Sequence, residues 1–385
     1  MIKKRVSSSN SLQNQLWVLF RLVISLSVIA CVLALLKIHS QTISPLPAAA
    51  VVRSEEEFVG NPKVAFLFLA RAGLPLDFIW HALFQNAEEG SFSIYVHSSP
   101  GFVFDESTTR SPFFFGRQVE NSIQVAWGEA SMIEAERILL RKALEDPANQ
   151  RFVLLSESCV PLYNFSYIYN YLMSSSKSFV DSFLDKKDDK KDGRYNPKMS
   201  PTIPKDKWRK GSQWITLVRK HAAVITADNI VFPIFRKHCK RRPDLDLEGK
   251  QNARKIVQKE HNCIPDEHYV QTLLSMSELE DELERRTLTY TSWNQSKNGK
   301  GKQNWHPTTF QYETASPEHI KQIKDIRNVY YETEFRTEWC QSNSTLVPCF
   351  LFARKFTRGA ATRLLTEGVV GPFDASSLLL QSSTR

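Results

Sequence analysis

Cysteine is scarce, six residues in 385, and none has the spacing of a zinc site, so a fold built on structural zinc is excluded. Carboxylates are missing where a divalent metal would need them. The buried-strand run Arg151–Ser156 leads into Glu157 and Ser158, with no Asp-x-Asp at its end. The literal Asp-x-Asp, Asp244–Asp246, comes after no apolar strand and reads as a solvated loop; a hard divalent cation needs convergent, positioned oxygens. Acids are also absent from the stretch Met1–Gln15, which carries Lys3, Lys4 and Arg5.

Directly after that basic tip the chain turns apolar. Leu16–Leu36 has bilayer length, since about 20 such residues span the hydrocarbon core, and Arg21 near its basic end can snorkel to the interface. Because the cations precede the run, the positive-inside rule puts the N-terminus in the cytosol and the body in a lumen or outside the cell. A cleaved signal peptide is the alternative, with small residues at Ala48–Ala50 well beyond the usual distance from the apolar run. The sequons at Asn164, Asn294 and Asn343 suit a glycosylated secretory-pathway domain. With Cys31 inside the span, the remaining cysteines are odd in number, so one thiol stays free or pairs outside the chain. Cys340 with Cys349 and Cys239 with Cys263 suit short loops, but spacing alone leaves connectivity open. The layout is a cytosolic tail over 1–15, an anchor over 16–36, a stem over 37–62, one domain over 63–366 and a tail over 367–385. A formal net charge of +9 and a pI near 9.1 favour anionic partners. With the body across a membrane from nucleic acid, phosphates or nucleotide sugars fit better.

Within the body, Val64–Ala70 is a continuous apolar run of the kind buried on both faces of a parallel sheet, and Leu74–Ala87 has helical spacing. Phe92–His97 and Arg151–Ser156 predict further strands, Ile123–Ala126 a short one and Ala130–Leu144 a helix. This alternation predicts an α/β fold: a mostly parallel, doubly wound sheet flanked by helices, with its ligand crevice off the carboxyl ends of the strands. Asp185–Lys210 reads as a long loop of mixed charge, and Lys207–Arg219 joins cations to Trp208 and Trp214 before a strand-like run.

Cys263–Leu274 reads as a helix start, with Pro265 at the first position and Asp266 and Glu267 at the positive end of the dipole. Capping explains those acids. The alternative is that Glu267, on a rigid helix end beside a cleft, takes a proton from a substrate hydroxyl. Arg354 and Lys355 come just after the apolar Phe350–Ala353, at an element end where a fixed charge either faces a cleft or caps the element. Trp293 closes TLTYTSW, and Arg327 lies near the end of the helix-like SPEHIKQIKDIRNV.

The basic tip and single span, with RFVLLSESCVPL, KGSQWITL, IPDEHYVQTLL and FARKF, resemble the core-2/I-branching β-1,6-N-acetylglucosaminyltransferase family in its plant brittle-culm-like branch, over Lys63–Phe356. The resemblance implies a single-pass type II Golgi membrane enzyme of GT-A-like fold. Such an enzyme moves a sugar, N-acetylglucosamine above all, from a UDP-sugar to a hydroxyl of a glycan or glycoprotein, with inversion and without a metal or other cofactor. The matching motifs imply Glu267 as catalytic base, Lys355 and Arg327 as cations for the diphosphate and Trp293 as an acceptor contact. Beside them we set Arg354 with the donor, and Trp214 and Glu157 with the acceptor. After the second strand this chain has His97, where the animal enzymes carry an aspartate near the uridine. Other readings remain: a transferase using another UDP-sugar such as UDP-xylose or UDP-glucuronate, or a silent membrane-anchored sugar-binding or scaffold protein, which the retained Glu267 opposes. A hydrolase would need a second carboxylic acid across the scissile bond, for which Glu157 is the candidate.

Overall fold

The structure, a computed structural model, describes residues 9–42, 58–185, 193–241, 262–293, 307–342 and 344–369. The chain divides into two compact units, Met1–Ala50 and Val51–Arg385. The first holds α1 (Ser9–Thr42), in which Trp17–Ala34 has a mean hydropathy of 2.4 and no buried residue. It is long and apolar enough to cross a membrane and suggests a single-pass anchor. The Arg21 guanidinium lies 4.3 Å from the Trp17 ring, covering the charge as an interfacial pair does.

The second unit begins with β1 (Lys63–Leu69), α2 (Asp77–Phe84), β2 (Phe92–His97), α3 (Ser131–Leu144) and β3 (Asn149–Ser156). Every β1 residue after Lys63 is buried, because β1 runs parallel between β2 and β3 and has no solvent face. On α3 eight positions between Ile133 and Ala143 are buried, because the helix packs against β1, β2 and β3 and also against a later helix. Then come β4 (Val160–Pro161), α4 (Phe165–Met173), β5 (Ser178–Phe179), β6 (Phe183–Leu184), β7 (Arg209–Lys210), β8 (Thr216–Val218), α5 (Arg219–Ala227) and α6 (Val231–His238). Further along are α7 (Tyr269–Met276), β9 (Leu283–Glu284), β10 (Thr289–Thr291), α8 (Pro317–Lys324), the hairpins β11 (Asn328–Tyr331) with β12 (Arg336–Trp339) and β13 (Gln341–Ser342) with β14 (Thr345–Leu346), then β15 (Phe352–Arg354) and α9 (Arg358–Thr366).

The main sheet has the order β2-β1-β3-β8-β5-β9. Its first half is parallel as expected, but β8 runs antiparallel to both β3 and β5, so the sheet is mixed. A parallel neighbour needs a crossover, usually a helix. β8 instead arrives from β7 through the non-helical stretch 211–215. A second sheet, β10-β15-β4, holds the last strand against the end of the first half. The core joins both through aromatic edges, such as Phe68 with Trp80 at 5.0 Å and Trp80 stacked on Phe352 at 6.1 Å.

Three further sequence expectations shift: the helix-like SPEHIKQIKDIRNV is helical only over Pro317–Lys324, and its Asn328 and Val329 belong to β11. Helix α2 is shorter than Leu74–Ala87, and the predicted strand Ile123–Ala126 does not form. That segment satisfies its amides on side chains instead: Ile123 N–H donates to His97 Nε2 and Ala126 N–H to Ser131 Oγ. The disulfides Cys239–Cys263 and Cys340–Cys349 are present, and Cys159 is a buried free thiol.

Candidate active site

A cleft of about 1780 Å³ opens off the carboxyl ends of the parallel strands, lined there by Arg71 after β1, His97 at the end of β2 and Glu157 after β3. Single small-molecule sites run about 300–1,000 Å³, so this one has room for two substrates. The strand ends are stitched together: Ala70 N–H donates to His97 O at 2.9 Å and Glu157 N–H to Leu69 O at 3.2 Å.

On one side of this floor cations gather. Phe356 N–H donates to Ser158 O at 3.0 Å, which holds the end of β15 against the end of β3 and brings Arg354 and Lys355 into the cleft. The Lys355 ammonium is held below its usual range by burial and then by the charges of Arg354 and Arg71, so these cations feel one another. Glu157, 3.9 Å from Arg71, offsets part of that charge. Burial likewise lowers Arg354, whose guanidinium lies 4.2 Å from the Trp214 ring and whose buried Nε has no hydrogen-bond partner. Like charges held this close favour a polyanionic ligand.

Arg327 is not part of this cluster. It sits just past α8, donates to the carbonyls of Lys324 and Ile326, and does not line the cleft. A cation just past a helix finds the unpaired last carbonyls first. Arg71, just after β1, lines the cleft where Arg327 does not. The signal was available, since Arg71 directly succeeds the apolar run of β1, where the crevice rule looks for chemistry.

On another side lies the Pro-Asp-Glu turn. The expected helix start is instead a single 3-10 turn, Pro265–Glu267, separated from α7 by His268. His268 breaks the helix because its ring is buried, stacked on Trp208 at 4.4 Å, with Nδ1–H donating to Arg209 O at 2.8 Å. Neither acid caps by a side-chain bond. Asp266 is buried in the cleft wall, 7% exposed, with Oδ1 unpartnered. Glu267 turns into the cleft, where its carboxylate is ion-paired with Arg194. Its carbonyl accepts Gly211 N–H at 2.9 Å, and Gly211 is the residue that fits, since a Cβ there would stand 1.7 Å from Asp181 O. Arg194 escapes a reading of the sequence because it comes after a charged loop that resembles solvated surface.

Burial, reinforced by the Glu267 charge, raises the Asp266 carboxyl to about 7. The folded protein then holds this proton more tightly than the unfolded chain. Its stabilisation is complete below the ordinary carboxyl range and is lost as pH rises through about 7. Asp266→Asn, neutral at every pH, is expected to flatten that loss. Melting temperatures measured from about pH 5 to about pH 8.5 test it, and parallel curves for variant and wild type would assign the loss to another group.

The aromatic candidates separate. Trp293 is 52% exposed on the cleft rim. Trp214 lines the cleft but is 6% exposed, with Arg354 over its ring, so it is a support for that cation rather than an open stacking platform. Also unforeseen is Asp181, half-buried and raised to about 6 by desolvation, which accepts from Tyr331 Oη at 2.5 Å and Ser212 N–H at 3.0 Å. Asn164 caps α4 by accepting Tyr167 N–H at 2.9 Å, whereas Asn294, Asn343 and Asp244–Asp246 lie outside the described residues. Among the described residues no group of three or more His, Cys, Asp or Glu side chains is arranged to hold a metal ion.

The family model of the Core-2/I-branching enzymes matches residues 64–324. A rice protein, Glycosyltransferase BC10 of Oryza sativa subsp. japonica, is 55% identical over 340 residues, which cover 86% of this chain and 83% of that protein.

Proposed function

Because the chain belongs to the Core-2/I-branching enzyme family and is a glycosyltransferase, we infer that it transfers N-acetylglucosamine from a UDP-sugar to a hydroxyl of a glycan or glycoprotein, with inversion and without a metal. The observation that carries this reading is the pairing, in one cleft, of a carboxylate on a rigid turn with a cluster of close cations.

In this mechanism Glu267 takes the proton of the acceptor hydroxyl as its oxygen attacks the anomeric carbon. The bond to the diphosphate breaks on the opposite face, so the anomeric configuration inverts. A well-placed base contributes roughly 10²- to 10⁴-fold. The departing diphosphate gains negative charge, which Lys355 and Arg354 meet as positive charge held in the cleft wall, joined by the exposed side chain of Arg71. The arginine fork spans two phosphate oxygens and the ammonium adds a point charge, the work a divalent ion does in other nucleotide-sugar sites. Trp293 at the rim offers the acceptor sugar an apolar face.

The anchor helix, with its basic tip, supports a type II orientation in the Golgi with the catalytic unit in the lumen. Two disulfides and the Asn164 sequon are consistent with that compartment.

The test is transfer from a panel of UDP-sugars, with and without a glycan acceptor, in EDTA. We expect acceptor-dependent transfer that persists under chelation. Activity lost in EDTA and restored by manganese would overturn the metal-free reading and direct attention to Glu157, Asp185 and the acids just beyond it.

A further inference from the structure

One wall of the cleft is neither strand nor helix. Ile123, Gln124, Val125 and Trp127 line it, yet the segment pairs with no strand and is tied by separate tethers. Ala126 N–H donates to Ser131 Oγ at 3.0 Å. At the far end Gly128 O accepts Arg241 N–H at 2.7 Å, and the Arg241 guanidinium lies 4.0 Å from the Trp127 ring. Gly128 has φ +79°, and a Cβ there would stand 2.4 Å from Arg241 Cβ, so glycine is required for the approach. The near end is held from the cleft floor: Ile123 N–H donates to His97 Nε2 at 3.1 Å.

We propose that His97 is a positioning residue for the sugar donor, which sets the 123–128 wall at the distance the nucleotide sugar needs by accepting the Ile123 amide proton. This rests on the reading of the cleft as a nucleotide-sugar site. A backbone amide can only donate, so Nε2 must carry a lone pair and the imidazole must be neutral. A protonated ring would set N–H against N–H and release the tether. His97 is 2% exposed, and burial lowers its pKa, opposed only by a bond to its own backbone. The charged groups that the neighbouring strand ends bring to the cleft are Arg71 and Glu157, and the wall itself contributes uncharged Ile123, Gln124 and Val125. Neither Arg71 nor Glu157 contributes to the His97 shift. The neutral ring is therefore the folded state's form at neutral pH, and the tether weakens as acid protonates it.

The experiment compares wild type, His97→Leu and His97→Gln by calorimetric titration of UDP near pH 7.5 and near pH 5.5, with donor and acceptor KM and kcat from transfer assays. Leucine keeps the bulk and loses the acceptor, whereas the Gln Oε1 can take the same amide proton. We expect His97→Leu to weaken UDP binding and raise donor KM about tenfold, the effect of losing one part-buried hydrogen bond. Acceptor KM should not change. His97→Gln should restore binding near pH 7.5 and should lack the acid-side loss seen in wild type. Equal UDP affinity in His97→Leu and wild type, failure of glutamine to rescue, or the same pH dependence in wild type and His97→Gln would overturn the proposal. If His97→Leu melts early, the wild-type and His97→Gln pH profiles decide alone. A folded wild type that binds no UDP at either pH would instead overturn the donor reading, and this inference with it.

Discussion

Glu267→Gln lowers sugar transfer by about 10²-fold or more while leaving UDP binding and the fold intact, because the amide keeps the shape of the side chain and loses the base. The structure makes this substitution clean. Glu267 caps no helix, its backbone is held by the Gly211 amide, and its side chain meets Arg194 at a partly exposed position. An ion pair of that exposure contributes about 0–1 kcal/mol, so little stability is lost with the charge. The measurement is initial rate at saturating donor, beside melting temperature and UDP titration. A variant with near-normal turnover would confine Glu267 to its pairing with Arg194 and leave the mechanism without a base.

Lys355→Ala and Arg71→Ala each weaken UDP binding by about 1.5–3 kcal/mol, the range for a hydrogen bond to a charged group, whereas Arg327→Ala leaves it unchanged. The contrast is the informative part, since all three are basic residues of the same chain. Lys355 and Arg71 lie in the cleft close enough to perturb one another, while Arg327 is occupied with the carbonyls at the end of α8. Added salt weakens wild-type binding and has less effect on each cleft variant, since a removed charge can no longer be screened. Calorimetry on metal-stripped protein at two ionic strengths measures both effects. Arg327→Ala matching Lys355→Ala would mean that the diphosphate reaches round to α8, and the assignment of the cation cluster would fall.

Much of the scaffold was legible because its signals are local. The apolar run of β1 reads as a doubly buried strand from its residues alone, since a strand with no solvent face has no polar positions. SPEHIKQIKDIRNV reads as helix-like from equally local signals, and within it Ser316 caps α8 by accepting the His319 amide. The mixed sheet was not legible. Strand β8 is three residues long, and its direction depends on the path of a connection rather than on its own composition. The missing strand at Ile123–Ala126 failed for a related reason: backbone amides accept any good partner, and His97 and Ser131 were nearer than a strand edge.

By itself the sequence determined the membrane-length helix, the parallel half of the sheet and the crevice off its strand ends, because each arises from the period and polarity of neighbouring residues. Only the tertiary structure decided which charges meet. It put Arg71 among the cations and Arg327 outside them, and it ion-paired Glu267 in the cleft while burying adjacent Asp266 in the wall of the same cleft. It also set the face of Trp214 against Arg354 and left Trp293 half-exposed at the rim. The physical reason is that burial, charge and pairing at a site are set by residues distant in sequence, and a substitution or turn of one position changes which of them arrive.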